Sequence, residues 1–381
     1  MKLLLVNKAY HPHLGGVETV VRQLALGMTR AGHEVVVLCF GERTAVETLE
    51  GIRIHRVRPL FRVGSAPVGF SFFWKYRRLS KWADGILFQS PNPMGELSFL
   101  CSPTRKCTVA VYQGDAVRPE WLLPAYDMLM RVFLRHASRV VVSNPNLPQS
   151  SRVLSKLSPG VTIIPIGVDL NRFVVSEFDV RTASNLWEGL TGFKVMFAGR
   201  LVYYKGTEVL LESVLRLRNE GLDVSVFLVG DGPLREKLER FILDNSLERH
   251  AKIIPPQPEE IYTALFEKAD CFVLPSLYPV EAFGIVLLEA MASGLPVVST
   301  ELGTGTSWIN RDGETGLVTP PGDVGALSEA ICFLMEHPEE RQRMQQNARE
   351  RVEDLFSESA MLSGYERLFS ECGNLCNHMC E

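Results

Sequence analysis

Apolar and polar positions alternate along this chain with two different periods. Short runs rich in Val, Ile and Leu recur at Leu3–Val6, Glu34–Phe40, Ile52–Val57, Gly85–Leu87, Thr108–Tyr112, Arg139–Ser143 and Val161–Ile164. Such runs read as buried strands. Helical patterns fall between most of them, notably Glu18–Arg30, which ends at Ala31-Gly32. After a mixed segment, Asn171–Gly192, the rhythm restarts with strands at Lys194–Ala198, Val224–Leu228, Lys252–Ile254, Cys271–Leu274, Pro296–Ser299 and Gly316–Val318. Helices are expected near Thr207–Asn219, Leu234–Asn245, Glu259–Lys268, Phe283–Ala292 and Val324–Glu336. The pattern predicts an α/β protein of two Rossmann-like, doubly wound parallel-sheet domains facing a central cleft. The expected boundaries are 1–170 for the first domain, 171–192 for a linker, 193–355 for the second domain, and 356–381 for a C-terminal helix and tail that packs back on the first domain.

A length of 381 residues suits two or three domains, and 46% hydrophobic with 22% charged residues is ordinary for a globular chain. No apolar run reaches the ~18–20 residues that span a bilayer, and Met1–Asn7 reads as a first strand, not a signal peptide. Eight cysteines lie mostly in apolar segments and point to reduced core thiols and a cytoplasmic setting. The tail from Cys372 to Cys380 holds three Cys and His378, but its cramped spacing reads as a frayed end, and no metal is expected. Net charge is −4, unevenly shared: residues 1–170 carry 21 Lys and Arg against 11 Asp and Glu, the remainder 19 against 33. The basic half is suited to an anionic partner. No helix-turn-helix, zinc-finger or RNA-binding signature is present, so nucleic acid is not expected.

The candidate chemistry gathers at strand ends. In Glu281-Ala-Phe-Gly-Ile-Val-Leu-Leu-Glu289 two carboxylates bracket a glycine and the start of an apolar helix that Gly294 and Pro296 stop. Unpaired N–H groups at a helix start suit a diphosphate, and carboxylates suit sugar hydroxyls. A nucleotide sugar carries both. Arg200 and Lys205 bracket another loop before a helix, flanked by Gly199 and Gly206, and supply cations for the same diphosphate. Asp231, in Gly230-Asp-Gly-Pro233, reads as a helix-start residue. Ser299–Ile309 adds glycines and threonines that either contact ligand or form a turn. In the first half, Gly15 and Gly16 precede a helix and permit close backbone approach. His11 and His13 read as plain loop residues. Gln113 and Asp115 sit at a strand end and are candidates to face a sugar, with helix capping the alternative for Asp115.

Taken together, Arg200…Lys205, Glu281-x₇-Glu289, Gly15-Gly16 and Gly303-Thr-Gly-Thr306 resemble the retaining GT-B glycosyltransferases of family 4 over nearly the whole chain. The segments Gln113-Gly-Asp-Ala-Val-Arg118 and Ser299–Trp308 are similar to bacterial O-antigen mannosyltransferases. The resemblance implies a hexosyltransferase, peripheral at the inner face of the cytoplasmic membrane, that takes mannose from GDP-mannose or a related GDP-sugar without metal and passes it to a lipid-linked saccharide. By position, Gly16 would approach the donor phosphate, and Arg200 and Lys205 would hold the diphosphate. Glu281 would meet sugar hydroxyls at the reacting centre. The backbone of Phe283, Gly284 and Ile285 would cradle sugar and phosphate, and Glu289 would hold the ribose. Two departures bear on the donor sugar: the family usually has histidine at the Gln113 position, and Ala282 replaces a frequent glycine. Aromatic and basic residues interleave over Phe61–Lys81, which suits contact with anionic lipid, or else an ordinary amphipathic helix. Alternatives are a sugar-nucleotide epimerase, a non-catalytic nucleotide-sugar or glycolipid binder, and a synthase of soluble sugars.

Overall fold

The computed structural model describes residues 1–12, 15–116, 120–157 and 160–378. The chain forms two compact units. One comprises Met1–Gly167 with the segment from Glu358 onward, the other Val168–Ser357.

The first unit is built on a sheet of β1 (Lys2–Val6), β2 (Glu34–Phe40), β3 (Ala45–Leu49), β4 (Ile52–Val57), β7 (Gly85–Ser90), β8 (Cys107–Tyr112), β9 (Arg139–Val142) and β10 (Val161–Ile163). Their order is β10-β9-β8-β7-β1-β2-β4-β3, parallel except at the edge, where β3 returns antiparallel to β4. That edge strand was not expected: its exposure alternates, and Glu47 pairs with Arg56 of β4 at 2.6 Å. A separate hairpin joins β5 (Phe61–Val63) and β6 (Ala66–Val68). Helices α1 (Gly16–Arg30), α2 (Phe70–Trp82), α3 (Pro93–Cys101), α4 (Leu123–His136) and α5 (Leu147–Ser150) connect the strands. Central β1 is apolar at every position but its first because helices cover both faces of a parallel sheet. Phe72 of α2 stacks on Phe40 with ring centres 4.5 Å apart.

The second unit carries α6 (Glu177–Leu186), α7 (Thr207–Asn219), α8 (Arg235–Asp244), α9 (Glu259–Leu265), α10 (Ile285–Ala292), α11 (Gly305–Ile309), α12 (Val324–Glu336) and α13 (Pro338–Leu355). Its sheet, β11 (Phe193–Ala198), β12 (Val224–Val229), β13 (Ala251–Ile254), β14 (Cys271–Leu274), β15 (Val297–Thr300) and β16 (Gly316–Thr319), is wholly parallel in the order β13-β12-β11-β14-β15-β16. The expected linker is part of this unit. Within 171–192, α6 packs on α9, and Trp187 stacks on Phe227 at 4.5 Å, so the segment covers one end of the sheet. The chain enters and leaves the unit side by side, the Val168 N–H donating to the Phe356 carbonyl at 2.7 Å.

The last helix, α14 (Glu358–His378), belongs to the first unit, where Arg30 of α1 pairs with Glu358 at 2.9 Å. Cys107 at the start of β8 and Cys372 of α14 are joined by a disulfide, so these two cysteines depart from the expectation of reduced thiols. Their proximity depends on how α14 crosses the sheet, which no local window of sequence contains. Cys39 and Cys271 are free and buried. Among the described residues no helix is long and apolar enough to cross a membrane, and no group of His, Cys, Asp and Glu is arranged to hold a metal ion. His13, Arg118 and Cys380 lie outside the described residues.

Candidate active site

In the second unit the loop after β11 and the loop before α10 meet. The first runs through Arg200 to a single 3₁₀ turn, Tyr203–Lys205, and closes at Gly206 with φ +69°. A side chain at Gly206 would strike the Pro275 carbonyl oxygen, since a Cβ built there lies 1.9 Å from it. Glycine therefore lets the two loops touch. The second loop ends at Gly284, left-handed at φ +82°, so α10 starts at Ile285, two residues later than expected.

This contact places the Lys205 ammonium 2.5 Å from Glu281 Oε2, with both side chains only about a tenth exposed (12% and 11%). Ser276 Oγ donates to the same carboxylate oxygen at 3.3 Å. The Glu281 backbone is fixed in turn: Thr304 Oγ1 donates to its carbonyl at 2.8 Å, and Gly305 N–H donates to the Ala282 carbonyl at 2.9 Å. Thr304 and the Gly305 N–H thus brace the Glu281 loop. Burial, and then the Glu281 carboxylate, push the Tyr204 phenol above its ordinary range. Arg200 is exposed and has no ion-pair partner among the described residues, leaving its charge available to a ligand.

The backbone of Phe283 and Gly284 leads into α10 at Ile285, and the first N–H groups of that helix lack intrahelical acceptors. About one turn into the helix, Glu289 is clamped. Tyr262 of α9 donates its hydroxyl to Oε2 at 2.7 Å, and Arg172 Nη1 lies 3.5 Å from Oε1. Arg172 is itself held by Glu259 at 2.7 Å. Burial raises the Glu289 carboxyl above the usual range, while Tyr262 and then Arg172 oppose the rise. Each carboxylate oxygen has two lone pairs, so the clamp fixes the group and still leaves acceptor capacity for hydroxyls. Sequence reasoning missed this clamp. Arg172 fell in the expected linker, and nothing about Tyr262 marks which way its hydroxyl points.

Gly16, Gln113 and Asp115 belong to the first unit. Gly16 is the exposed first residue of α1. Gln113 Nε2 donates to Oε1 of the buried Gln89 at 3.0 Å, an amide pair spanning the ends of β7 and β8. Asp115, a candidate to face a sugar or to cap a helix, has partners within its own unit. It accepts from the Tyr112 hydroxyl, from Ser151 Oγ at 2.7 Å and from Arg152 N–H at 2.7 Å. Its oxygens fasten the end of β8 to the segment after α5. Nearby, Glu96 is fully buried under the Tyr126 hydroxyl (2.6 Å) and Asn92 N–H (2.8 Å), and burial pushes its carboxyl up to about 7.

Two Rossmann-like units, with a cation–carboxylate pair set against a helix start in the second, offer a strand-end site suited to a phosphate-bearing ligand. Comparison with known proteins gives the family. Residues 14–172 match Glycosyltransferase Family 4, and residues 188–351 match Glycosyl transferases group 1. The chain is 31% identical to O-antigen chain mannosyltransferase C of Escherichia coli, covering 97% of this chain and 98% of that one. It is 32% identical to D-rhamnosyltransferase WbpZ of Pseudomonas aeruginosa, covering 94% and 92%. This chain belongs to the GT-B glycosyltransferases of group 1 and family 4. Solved structures agree on the fold. A sucrose-phosphate synthase from Thermosynechococcus elongatus superposes with a TM-score of 0.79 at 23% identity, covering 97% of this chain and 98% of that one. Anabaena HepE in complex with UDP gives 0.79 at 20%, covering 97% and 100%.

Proposed function

We propose that this glycosyltransferase moves mannose from GDP-mannose, with retention of configuration and without metal, onto a lipid-linked saccharide during assembly of O-antigen or a related cell-surface polysaccharide. The carrying observation is the Lys205–Glu281 pair beside the start of α10. The similarity over nearly the whole chain to an O-antigen mannosyltransferase supports the sugar and the setting.

In this reading Arg200, Lys205 and the backbone of Phe283, Gly284 and Ile285 bind the donor diphosphate. Lys205 shifts from Glu281 toward phosphate when the donor arrives, and that frees Glu281 to accept from sugar hydroxyls. As the glycosidic bond lengthens, negative charge grows on the leaving diphosphate. The cations and the helix start stabilise it in the transition state more than in the ground state, which is where rate is gained. The acceptor hydroxyl attacks the face the diphosphate leaves, and the leaving phosphate takes its proton. Glu289 holds the ribose. Peripheral contact of the first unit with an anionic membrane is part of this reading.

A second reading, transfer of D-rhamnose, is supported by the similarity to D-rhamnosyltransferase WbpZ. Nucleotide release from GDP-, UDP-, ADP- and dTDP-sugars, with and without a polyprenyl-diphosphate-linked acceptor and always in EDTA, tests the proposal. GDP release from GDP-mannose that needs the acceptor, with an α-linked product, is expected. Release without acceptor would replace transfer with hydrolysis or epimerase-like chemistry, and loss of activity in EDTA would overturn metal independence.

A further inference from the structure

Three tyrosines stand in a row at the site in the second unit. Tyr203 and Tyr204 belong to the 3₁₀ turn that ends at Lys205, and Tyr278 to the loop that ends at Gly284. The backbone ties the two loops, the Leu277 N–H donating to the Tyr204 carbonyl at 2.7 Å. Tyr203 meets Tyr278 with ring centres 5.8 Å apart and planes tilted by 55°. It meets Tyr204 edge-on, at 5.6 Å and 88°. Tyr204 in turn has the Lys205 ammonium 5.9 Å from its ring centre. The row therefore leads from solvent to the Lys205–Glu281 pair. Tyr203 and Tyr278 are 59% and 51% exposed, Tyr204 is half-buried, and Lys205 and Glu281 are nearly enclosed. Two large rings from two loops, in contact with each other and open to water beside a buried ion pair, are the rim of a binding site.

We propose that Tyr203 and Tyr278 form a stacking platform for a neutral pyranose of the acceptor, the sugar that presents the attacking hydroxyl. The proposal rests on the transferase reading above. In that reading the acceptor hydroxyl comes within bonding distance of the donor carbon held at Lys205 and Glu281, so the sugar that bears it lies against the rim of that pair. The chemistry of the rings fits. A pyranose has an apolar C–H face and a rim of hydroxyls, and tyrosine offers an apolar ring face with a hydroxyl at its tip. A diphosphate calls for cations, which Arg200 and Lys205 supply deeper in the site. The donor's charged parts are thus matched at the floor, and the platform at the rim is left for the ring that arrives second. It is also coupled to the floor. The Glu281 N–H donates to the Tyr278 carbonyl at 3.1 Å, so a sugar seated on Tyr278 stands one tight turn from the Glu281 carboxylate. A nucleobase could stack on the same rings, and donor binding separates the two.

The test joins a binding and a kinetic measurement on the full chain. Saturation-transfer NMR from the aromatic protons to α-mannobiose reports stacking directly. The sugar C–H protons receive saturation from the wild type and from the pair Tyr203→Phe and Tyr278→Phe, which keeps both ring faces. The pair Tyr203→Ala and Tyr278→Ala loses it. In turnover of GDP-mannose with a polyprenyl-diphosphate-linked saccharide, the alanine pair raises acceptor KM about tenfold, and the phenylalanine pair restores most of the loss. Leu243→Ala, which removes an exposed apolar side chain from α8, leaves acceptor KM as it is. The Kd for GDP-mannose without acceptor is the same in all of them. Acceptor KM and saturation equal to wild type in the alanine pair would overturn the proposal. So would a rise in the GDP-mannose Kd matching the rise in acceptor KM, which would give the rings to the donor. A wild type that stacks mannobiose on these rings but turns over no nucleotide sugar would overturn the transferase reading and leave the platform standing.

Discussion

Replacing Arg172 with methionine leaves Glu289 with one neutral partner, Tyr262, in a site where burial already raises its carboxyl. Breaking a fully buried ion pair by removing one partner costs ~3–5 kcal/mol, and an exposed pair contributes ~0–1. Here the side chains are 20% and 14% exposed and 3.5 Å apart, which sets the expected loss at roughly 2 kcal/mol. For a unit of this size that lowers the melting temperature by about 4–8 °C. The pH dependence makes the test specific. A carboxyl whose folded pKa is raised holds its proton in the folded state after the unfolded chain has lost it. Its contribution to stability therefore falls as pH rises from the unfolded value through the folded one. Without Arg172 the folded value climbs further, so the deficit of Arg172→Met grows from pH 5 to pH 8. Donor KM rises over the same range on the proposed ribose role, with kcat changed less. Thermal melts of wild type and variant across that range decide the matter. A deficit that stays flat with pH would refute the argument, because Glu289 would not be the group left unpaired.

Two further substitutions probe the two units. Lys205→Ala removes the cation 2.5 Å from Glu281 and, on the proposed role, lowers turnover by about 10²–10³ while the chain still folds; near-wild-type single-turnover rates would remove the diphosphate argument. Asp115→Asn weakens the fastening of β8 to Ser151 and Arg152 and destabilises the first unit by roughly 1–3 kcal/mol with donor KM unchanged; a change in KM without a change in the melt would return Asp115 to the sugar pocket.

The strands were legible because parallel strands covered on both faces are continuous apolar runs. The observed β2 and β14 coincide with the expected spans, and so does β4, where Ile52, Ile54 and Val57 are spaced by polar residues. Edge strand β3 was not, because Val46 and Thr48 face water and its pattern resembles a loop. The linker was misread for a related reason: α6 is held by contacts to α9 far along the chain, and its own residues are mixed in character. In the site, residues at strand–helix junctions were readable because glycines and charges cluster there. The partners that fix those residues were not. Tyr262 and Arg172 reach Glu289 from elements that only the fold brings together. Asp115 shows the converse, since its place at a strand end was visible but the direction of its carboxylate was not.

The first unit is written in two pieces, with the second unit inserted between Gly167 and Glu358. During synthesis the inserted unit emerges whole and can fold at once. Its neighbour, although begun earlier, waits for its last helix, α14, and for Cys372 to meet Cys107. A chain that stops short of Glu358 would keep every residue of the Lys205–Glu281 and Glu289 clusters and still lack a finished first half. The order of completion is thus the reverse of the order of translation.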